Sequence, residues 1–178
     1  MAITKNKKKF FDVEIPSIGK ITQVQAYEIS EIEGRFIKYD LTRMLKGKSI
    51  EAQFIIKVEG QKAHAFPLKM KLMSYFLRRA VRKGTNYVED SFDAECKNEK
   101  LKIKPFIVTR RKVPRSVRNA LRKKAKEEII SYIQDKESNE IFDDILRNKF
   151  QKLLSLKLKK IYPLSLCEIR ILEIVKKK

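Results

Sequence analysis

The chain has 178 residues, of which 43% are hydrophobic and 36% are charged, a balance that excludes an intrinsically disordered protein and allows a packed core. Its 42 Lys and Arg residues against 22 Asp and Glu give a formal net charge of +20, which predicts a polyanionic partner such as nucleic acid. The 2 cysteines exclude a disulfide scaffold or zinc ribbon, and without a signal-peptide core or membrane span we expect a soluble cytoplasmic protein with no membrane contact.

Strand patterns dominate the first part of the chain, after a basic arm at residues 1–9 that we expect to be flexible. The runs "ITQVQAYEI" and "RFIKYDL" are short and β-rich, and in "SIEAQFIIKVEG" apolar residues alternate with polar ones at most positions. Gly60 then predicts a turn. The aromatic residues Tyr27, Phe36 and Tyr39 are candidates either for the core or for stacking on unpaired bases.

The next segments predict a helix and then a hairpin. The apolar stripe in "LKMKLMSYFLRRAVRKG" is typical of a helix, with Gly84 placed to cap its end. The hairpin is "YVEDSFDAECKNEKLKIKPFIVT", with its turn at Asn98 and Glu99, one apolar face and one charged face. This register pairs opposite charges across the strands: Glu95 with Lys102, and Asp93 with Lys104. Pro105 predicts that the second strand lies at an edge or is bulged there.

The stretch "TRRKVPRSVRNALRKKAKEEII" is the most basic part of the chain, because nine of the seventeen residues from Arg110 to Lys126 are Lys or Arg and none is acidic. It predicts a strand end, a turn at Pro114 and a helix from about Ser116. The residues expected to pack inward recur every four positions: Val117, Leu121, Ala125, Ile129 and Ile133. The cations expected on a neighbouring face follow the same spacing: Arg111, Arg115, Arg118, Arg122 and Lys126.

A second helical region opens near Ser138, allows for a break, and must end by Tyr162 because Pro163 follows. The run "LSLCEIRILEIV" predicts a closing strand. We therefore predict an α+β fold, with a small mixed or antiparallel, β-barrel-like sheet flanked by helices. Residues 10–175 are expected to form a single α+β RNA-binding domain, followed by a basic tail at 176–178.

Cations crowd the amino end of the main predicted helix, where the helix dipole disfavours them, so an external phosphate backbone is the expected partner. A second cluster closes the earlier helix, where the dipole favours cations and the argument for nucleic acid is weaker. The predicted RNA-binding residues are Lys5, Lys7, Lys8, Lys9, Arg78, Arg79, Arg82, Lys83, Arg110, Arg111, Lys112, Arg115, Arg118, Arg122, Lys123, Lys126, Lys159 and Lys160.

We expect no enzymatic activity and therefore no catalytic residue, metal site or cofactor. The acidic residues of the hairpin could serve a metal-dependent nuclease, but cross-strand lysines already give two of them a structural role. His64 has no Cys or Ser nucleophile at a suggestive spacing. Two alternatives stay open: a free-standing nucleic-acid-binding module, such as a single-strand or chromatin binder, and a basic nuclease.

The order of four segments resembles one family of small-ribosomal-subunit proteins from archaea and eukaryotes, called S-three-A-e or S-one-e. The segments are "LRRAVRKGTNYVEDSFDAEC", "LKIKPFIVTRR", "RNALRKKAKEEII" and "KKIYPLSLCEIRILEI". The most telling pieces are "RKGT", the "TRR" after the hairpin, and "IYPL" followed by "EIR". The match is good over about residues 76–174 and weaker, in the same order, from Phe10 to Val58. By this resemblance, the carboxyl-terminal extension of eukaryotic members is absent, which favours an archaeal or strongly reduced form.

The resemblance implies a small mixed β-barrel flanked by helices, seated on the platform of the small subunit near the messenger exit. By resemblance, Arg110, Arg111, Arg115, Arg118 and Arg122 lie against ribosomal RNA. The partners implied are small-subunit ribosomal RNA, neighbouring small-subunit proteins and messenger RNA near the exit. Directly before the first predicted helix, "AHAFPLKMKL" stands where the family usually has a glycine-containing turn and an Asp-Leu-Thr-Arg element, so the RNA contacts of that element are not transferred to it.

Overall fold

The structure is a computed structural model, and it describes residues 7–45 and 47–175. The first six residues of the predicted arm, with Lys5, and the predicted tail at 176–178 lie outside the described residues. Within the described ranges the strands are β1 (Lys9–Ile15), β2 (Lys20–Ala26), β3 (Phe36–Asp40), β4 (Ile50–Glu59), β5 (Lys62–Leu72), β6 (Tyr87–Glu89), β7 (Phe92–Glu95), β8 (Lys100–Thr109) and β9 (Leu164–Val175). The helices are α1 (Ser74–Ala80), α2 (Arg115–Gln134), α3 (Ser138–Leu146) and α4 (Lys149–Leu158), with a short 3-10 helix at Ile29–Ile32.

The chain divides into two compact units. One consists of the residues up to Tyr39 together with Gln53–Leu68, and the other of Asp40–Ala52 together with the residues from Lys69 onward. Strands β4 and β5 each begin in one of these units and end in the other.

In the first unit, β1 forms an antiparallel hairpin with β2 and a parallel pair with β5. The hairpin turn ends at Gly19, whose φ of +66° is a left-handed conformation that glycine adopts without a Cβ clash. The strand predictions for this part of the chain are confirmed by β2, β3 and β4. In β4 the predicted alternation holds, because Phe54 and Ile56 are buried and their neighbours are more exposed.

In the second unit, β9 lies between β8 and the end of β5, antiparallel to both. The predicted closing strand is thereby confirmed as β9. On its other side β8 pairs with β6 and β7, so it is an interior strand. The register shifts between Lys104 and Pro105, which confirms the predicted bulge and excludes the edge position. A bulge tolerates proline because the missing N–H has no ladder partner there.

Helix α4 packs on α2 and on α3; α2 also contacts β6 and β7, and α3 and α4 contact β9. The inward stripe predicted for α2 is confirmed from Leu121 to Ile133, whereas Val117 is only half-buried. The second helical region contains the allowed break, since α3 ends at Leu146 and Asn148 has a φ of 58° before α4 begins. Asparagine occurs in this left-handed conformation more often than most residues.

The hairpin of β7 and β8 has the predicted faces but a different register. Asp93 lies opposite Lys102 and Glu95 opposite Lys100, so the predicted pairing is wrong by two residues. The loop extends from Cys96 to Glu99 and is closed by a 2.9 Å hydrogen bond from the Cys96 N–H to the Glu99 carbonyl. Because side chains alternate with a period of two, a shift of two residues preserves the buried face.

The first predicted helix is shorter than its apolar stripe indicates. Strand β5 continues to Leu72, and α1 occupies only Ser74–Ala80. Residues Lys69–Lys71 pair with β9, so sheet pairing prevails over the helical period of the sequence. Gly84 has a φ of +88° but lies in the turn beyond the helix and does not cap it.

The predicted α+β class, with a mixed sheet and flanking helices, is confirmed. β1 pairs in parallel with β5, and the other registered strand pairs are antiparallel. In each unit, the paired strands of the described residues do not close into a ring, so the resemblance to a barrel is loose.

Candidate nucleic-acid interface

The turn between β8 and α2 presents three cations, and its backbone is held by hydrogen bonds to the side chains of Thr109 and Asn86. The Thr109 hydroxyl accepts the N–H of Asn86 at 3.1 Å and donates to the carbonyl of Arg111 at 2.7 Å. The Asn86 side-chain oxygen accepts the N–H of Val113 at 2.9 Å. The cations of this turn are all exposed: Arg110, Arg111 and Lys112. Asn86, which lies in the segment "RKGTN", was not identified from the sequence because its partners are distant in the chain.

The amino end of α2 has neither a side-chain cap nor an acidic residue in its first turn. Pro114 occupies the N-cap position and has no side-chain acceptor, so the first N–H groups of the helix lack a side-chain partner. These groups and the helix dipole favour an anion at this end. Arg115 and Arg122 are exposed on the first two turns.

Arg118 departs from the sequence prediction. We expected it on the solvent-facing side of α2, but its side chain is half-buried. Its Nε atom is buried and has no hydrogen-bond acceptor among the described residues. Arg118 follows the half-buried Val117 and lies at the margin of the apolar stripe. Its aliphatic stem therefore contributes to packing, and its guanidinium contributes positive charge.

The cations of α2 differ in their internal partners. The Lys124 ammonium lies 3.6 Å from the Glu127 carboxylate and 3.3 Å from the Glu128 carboxylate. Glu128 also pairs with Lys157 of α4, and the hydrogen bond from Lys157 lowers the pKa of Glu128 below its usual value. Lys126 lies 5.7 Å from the centroid of the Phe92 ring, a cation–π distance. Among the described residues, no carboxylate lies within ion-pair distance of the other cations of α2 or of those in the turn before it: Arg110, Arg111, Lys112, Arg115, Arg118, Arg122 and Lys123.

The second predicted cluster lies at the end of α1 and in the turn after it. Arg78 and Arg79 are in the last helical turn, where the dipole favours cations. The turn is closed by Thr85, whose hydroxyl donates to the Arg82 carbonyl at 2.7 Å. All four cations of this cluster are exposed, and none forms an ion pair with a described residue: Arg78, Arg79, Arg82 and Lys83.

The remaining predicted cations are scattered. Lys159 and Lys160 are exposed just beyond α4. Lys7, Lys8 and Lys9 are exposed at the start of the first unit, and the Lys8 ammonium lies 5.6 Å from the centroid of the Tyr27 ring.

The structure brings two predicted cations, Arg78 of α1 and Arg122 of α2, to grooves on either side of one ion pair. That pair joins Arg170 of β9 to Glu89 of β6, with Nη1 at 2.9 Å and 3.0 Å from the two carboxylate oxygens. Arg170 and Lys104, which also line these grooves, were not predicted from the sequence. Arg170 is a single cation within an apolar strand, and the predicted hairpin register assigned Lys104 to a cross-strand pair with Asp93.

Two of the carboxylates considered for a nuclease pair with cations. Glu89 binds Arg170, and Asp93 lies 3.8 Å from Lys100. Within residues 7–45 and 47–175, no group of three or more His, Cys, Asp or Glu side chains is arranged to hold a metal ion. In the same residues, no helix is long and apolar enough to cross a membrane.

Both cysteines, Cys96 and Cys167, are free thiols. Burial raises the pKa of Cys167 to about 12, so this residue is a neutral thiol at physiological pH. Cys167 lies in β9 and forms no disulfide bond.

An Asp-Leu-Thr-Arg sequence lies at Asp40–Arg43, earlier in the chain than the segment in which the resemblance predicts it. Leu41 is buried, and Asp40 accepts hydrogen bonds from the hydroxyl and the N–H of Thr42. These bonds lower the pKa of Asp40. Arg43 is exposed and adds a cation that the sequence prediction left out.

Comparison with known proteins gives one consistent result. A sequence profile of the ribosomal S3Ae family matches residues 4–178. Small ribosomal subunit protein eS1 of Pyrobaculum aerophilum is 28% identical over 177 residues, covering 95% of this chain and 80% of that protein. The eS1 protein of Nanoarchaeum equitans is 23% identical over 165 residues, covering 88% and 83%. That of Saccharolobus islandicus is 24% identical over 177 residues, covering 95% and 85%.

Proposed function

The chain belongs to the ribosomal S3Ae family, the family that its sequence resembles, and from this premise we propose that it is a structural constituent of the small ribosomal subunit that binds ribosomal RNA. The observation that carries the RNA-binding part is the set of exposed, unpaired cations around the amino end of α2. Its place of action is then the cytoplasmic ribosome, as part of a ribonucleoprotein that serves translation. The three similar proteins described above are each named small ribosomal subunit protein eS1.

The electrostatics of α2 support a polyanionic partner. Cations at a helix amino end oppose the dipole and repel one another, so this arrangement reduces the stability of the isolated protein. An RNA backbone reverses both terms, because its phosphates attract the side-chain cations, the free amides and the positive end of the dipole. Such contacts position the protein through phosphates and shape and carry little base specificity.

The finer parts of the proposal come from the family resemblance. We place the protein on the platform near the messenger exit, with Arg110, Arg111 and Arg115 against ribosomal RNA and with neighbouring ribosomal proteins and messenger RNA as further partners. The basic residues 1–9 and 176–178 are proposed to extend along RNA beside the domain of residues 10–175. The protein contributes charge neutralisation and geometry to assembly, and no catalytic step.

Gradient sedimentation of a cell lysate tests the ribosomal assignment. We expect the protein to sediment with the small subunit at low salt, to be released at high salt as counterions replace its cations, and to move to the top after ribonuclease treatment. Protein that stays at the top of an untreated low-salt gradient would favour a free-standing binding module. For the nuclease alternative, labelled RNA incubated with the protein and magnesium should remain intact, and chelator-sensitive cleavage would contradict the non-catalytic role.

A further inference from the structure

An open apolar groove lies between α1 and the sheet in the second unit. Leu77 of α1 and Val81, directly after the helix, line one side, and Tyr87 of β6 and Phe106 of β8 line the other. Tyr87 is 54% exposed, and its ring stacks on that of the buried Phe106, with centroids 5.9 Å apart and planes inclined by 26°. An exposed aromatic ring fixed from below by a second ring is a rigid platform for another flat ring.

An ion pair also lines this groove. The Glu89 carboxylate and the Arg170 guanidinium form it, held by two hydrogen bonds of 2.9 Å and 3.0 Å. The same two residues line a second, polar groove with Lys104 and Arg122. This polar groove also contains Asp90, whose carboxylate accepts the N–H of Ser91 at 2.9 Å.

The two grooves together carry positive charge. Their four cations are Arg78, Lys104, Arg122 and Arg170, and their two carboxylates are Glu89 and Asp90. Glu89 is neutralised by Arg170, so three cations face one carboxylate. An occupant that matches both grooves therefore has a flat, largely apolar part with a polar edge, joined within a few ångströms to an anionic part.

We propose that these grooves form a subsite for one unstacked nucleotide of RNA, with the base on Tyr87 and the adjoining phosphates against Arg122 and Lys104. The proposal rests on the RNA-binding function proposed above and adds a contact to a base. Sequence reasoning named other aromatic residues as stacking candidates and did not identify Tyr87, since its groove is assembled from α1, β6, β8 and β9. An unpaired base offers its whole ring to an aromatic platform, whereas a base in a duplex does not.

The subsite predicts that Tyr87 strengthens binding to single-stranded RNA and not to duplex RNA, a difference that phosphate contacts alone do not give. The full-length protein is titrated into two labelled RNAs with equal numbers of phosphates, an unstructured single strand and a blunt-ended duplex. We expect Tyr87→Ala to weaken single-strand binding about thirtyfold, the middle of the range for loss of one base-aromatic stack, and to leave duplex binding unchanged. The slope of affinity against salt should stay the same, because stacking releases no counterions.

Two matched variants make this test specific. Tyr87→Phe keeps the ring and should keep wild-type affinity for the single strand. Tyr75→Ala removes another exposed tyrosine, 46% exposed on α1 and absent from the groove lining, and should have no effect on either RNA. Equal losses on both RNAs, or no loss on either, from Tyr87→Ala would overturn the base site. The second of these outcomes fits a groove that receives a side chain of a neighbouring protein.

A measurement on the wild-type protein covers the case in which Tyr87→Ala does not fold. Photocrosslinking to a single strand that carries 5-iodouridine, followed by mass spectrometry, should place the crosslink on Tyr87. Crosslinks confined to other peptides would refute the subsite while leaving the RNA-binding function intact. A wild-type protein that binds neither RNA in a salt-dependent way would instead refute the proposed function, and the subsite with it.

Discussion

The cations at the amino end of helix α2 and those further along it have different surroundings. From Arg115 to Lys123 the cations have no internal carboxylate, whereas Lys124 pairs with Glu127 and Glu128, and Lys126 faces the Phe92 ring. The same contrast extends through the second unit, where Lys48 pairs with Glu168 and Lys136 with Asp144. We call a cation matched when it has a partner inside the fold and unmatched when it has none among the described residues. Matched cations stabilise the fold, and unmatched ones are free to bind an external anion.

Removal of the most buried of the matched cations should have the largest effect. Lys48 is 9% exposed, donates to the Asn148 side chain at 2.7 Å and pairs with Glu168. Lys48→Ala leaves the Glu168 carboxylate buried without its partner, so we expect unfolding to become easier by about 3–5 kcal/mol, as for other broken buried pairs. Urea denaturation followed by circular dichroism measures this change.

Two control variants define what Lys48 contributes. The double variant Lys48→Met with Glu168→Leu removes both charges and should recover most of the lost stability. Lys112→Ala removes an exposed and unpaired cation, and should change stability by no more than about 0.5 kcal/mol. If Lys48→Ala were as harmless as Lys112→Ala, the distinction between matched and unmatched cations would fail.

Substitutions within α2 test the same contrast in RNA binding. Arg115→Gln with Arg122→Gln removes two unmatched cations, and we expect affinity for RNA to fall about tenfold at moderate salt. The slope of log affinity against log salt should decrease by about 0.7–0.9 for each lost phosphate contact. Fluorescence anisotropy at several salt concentrations gives both quantities.

The matched control for this test is Lys124→Gln, which removes the same charge from the same helix at a position with internal partners. We expect the salt slope to be unchanged. A decrease as large as that for one of the arginines would show that internal pairing does not decide which cations reach RNA. Arg118 is left out of the test because its half-buried stem would add a folding effect.

A smaller effect, of about 1 kcal/mol, concerns two neighbouring carboxylates with opposite pKa shifts. Burial alone would raise the pKa of Asp144, but hydrogen bonds from Lys136 and Tyr132 outweigh it and lower that pKa. Burial raises the pKa of Asp143, whose Oδ1 atom has no hydrogen-bond donor among the described residues. The lowered pKa of Asp144 stabilises the fold above the unfolded-state pKa, and this contribution is lost as pH falls below about 4.

The two carboxylates should therefore give opposite changes in the acid dependence of stability. Asp144→Asn is expected to destabilise the protein at neutral pH and to flatten the loss of stability in acid. Asp143 gains stability on protonation, so Asp143→Asn should make the loss in acid steeper. Urea denaturation between about pH 3 and pH 7 measures both slopes. The same sign of change in both variants would contradict the assigned partners.

Much of the fold was predictable from local patterns. The period-four stripe of α2, the alternation of β4 and the apolar face of the hairpin all persist because each depends on residues close in sequence. The unusual charge of the segment from Arg110 to Lys126 was also visible in the sequence, and with the family resemblance it led to a nucleic-acid partner.

The sequence by itself therefore determined which faces are apolar and which segment is basic, because period and charge are local properties of the chain. Only the tertiary structure decided which charges distant in the chain pair with one another, since partners such as Glu89 and Arg170 are 81 residues apart. It also set the hairpin register and the boundary between β5 and α1, where pairing with β9 outweighs local preference. These outcomes depend on which distant groups become neighbours, and no local pattern encodes that.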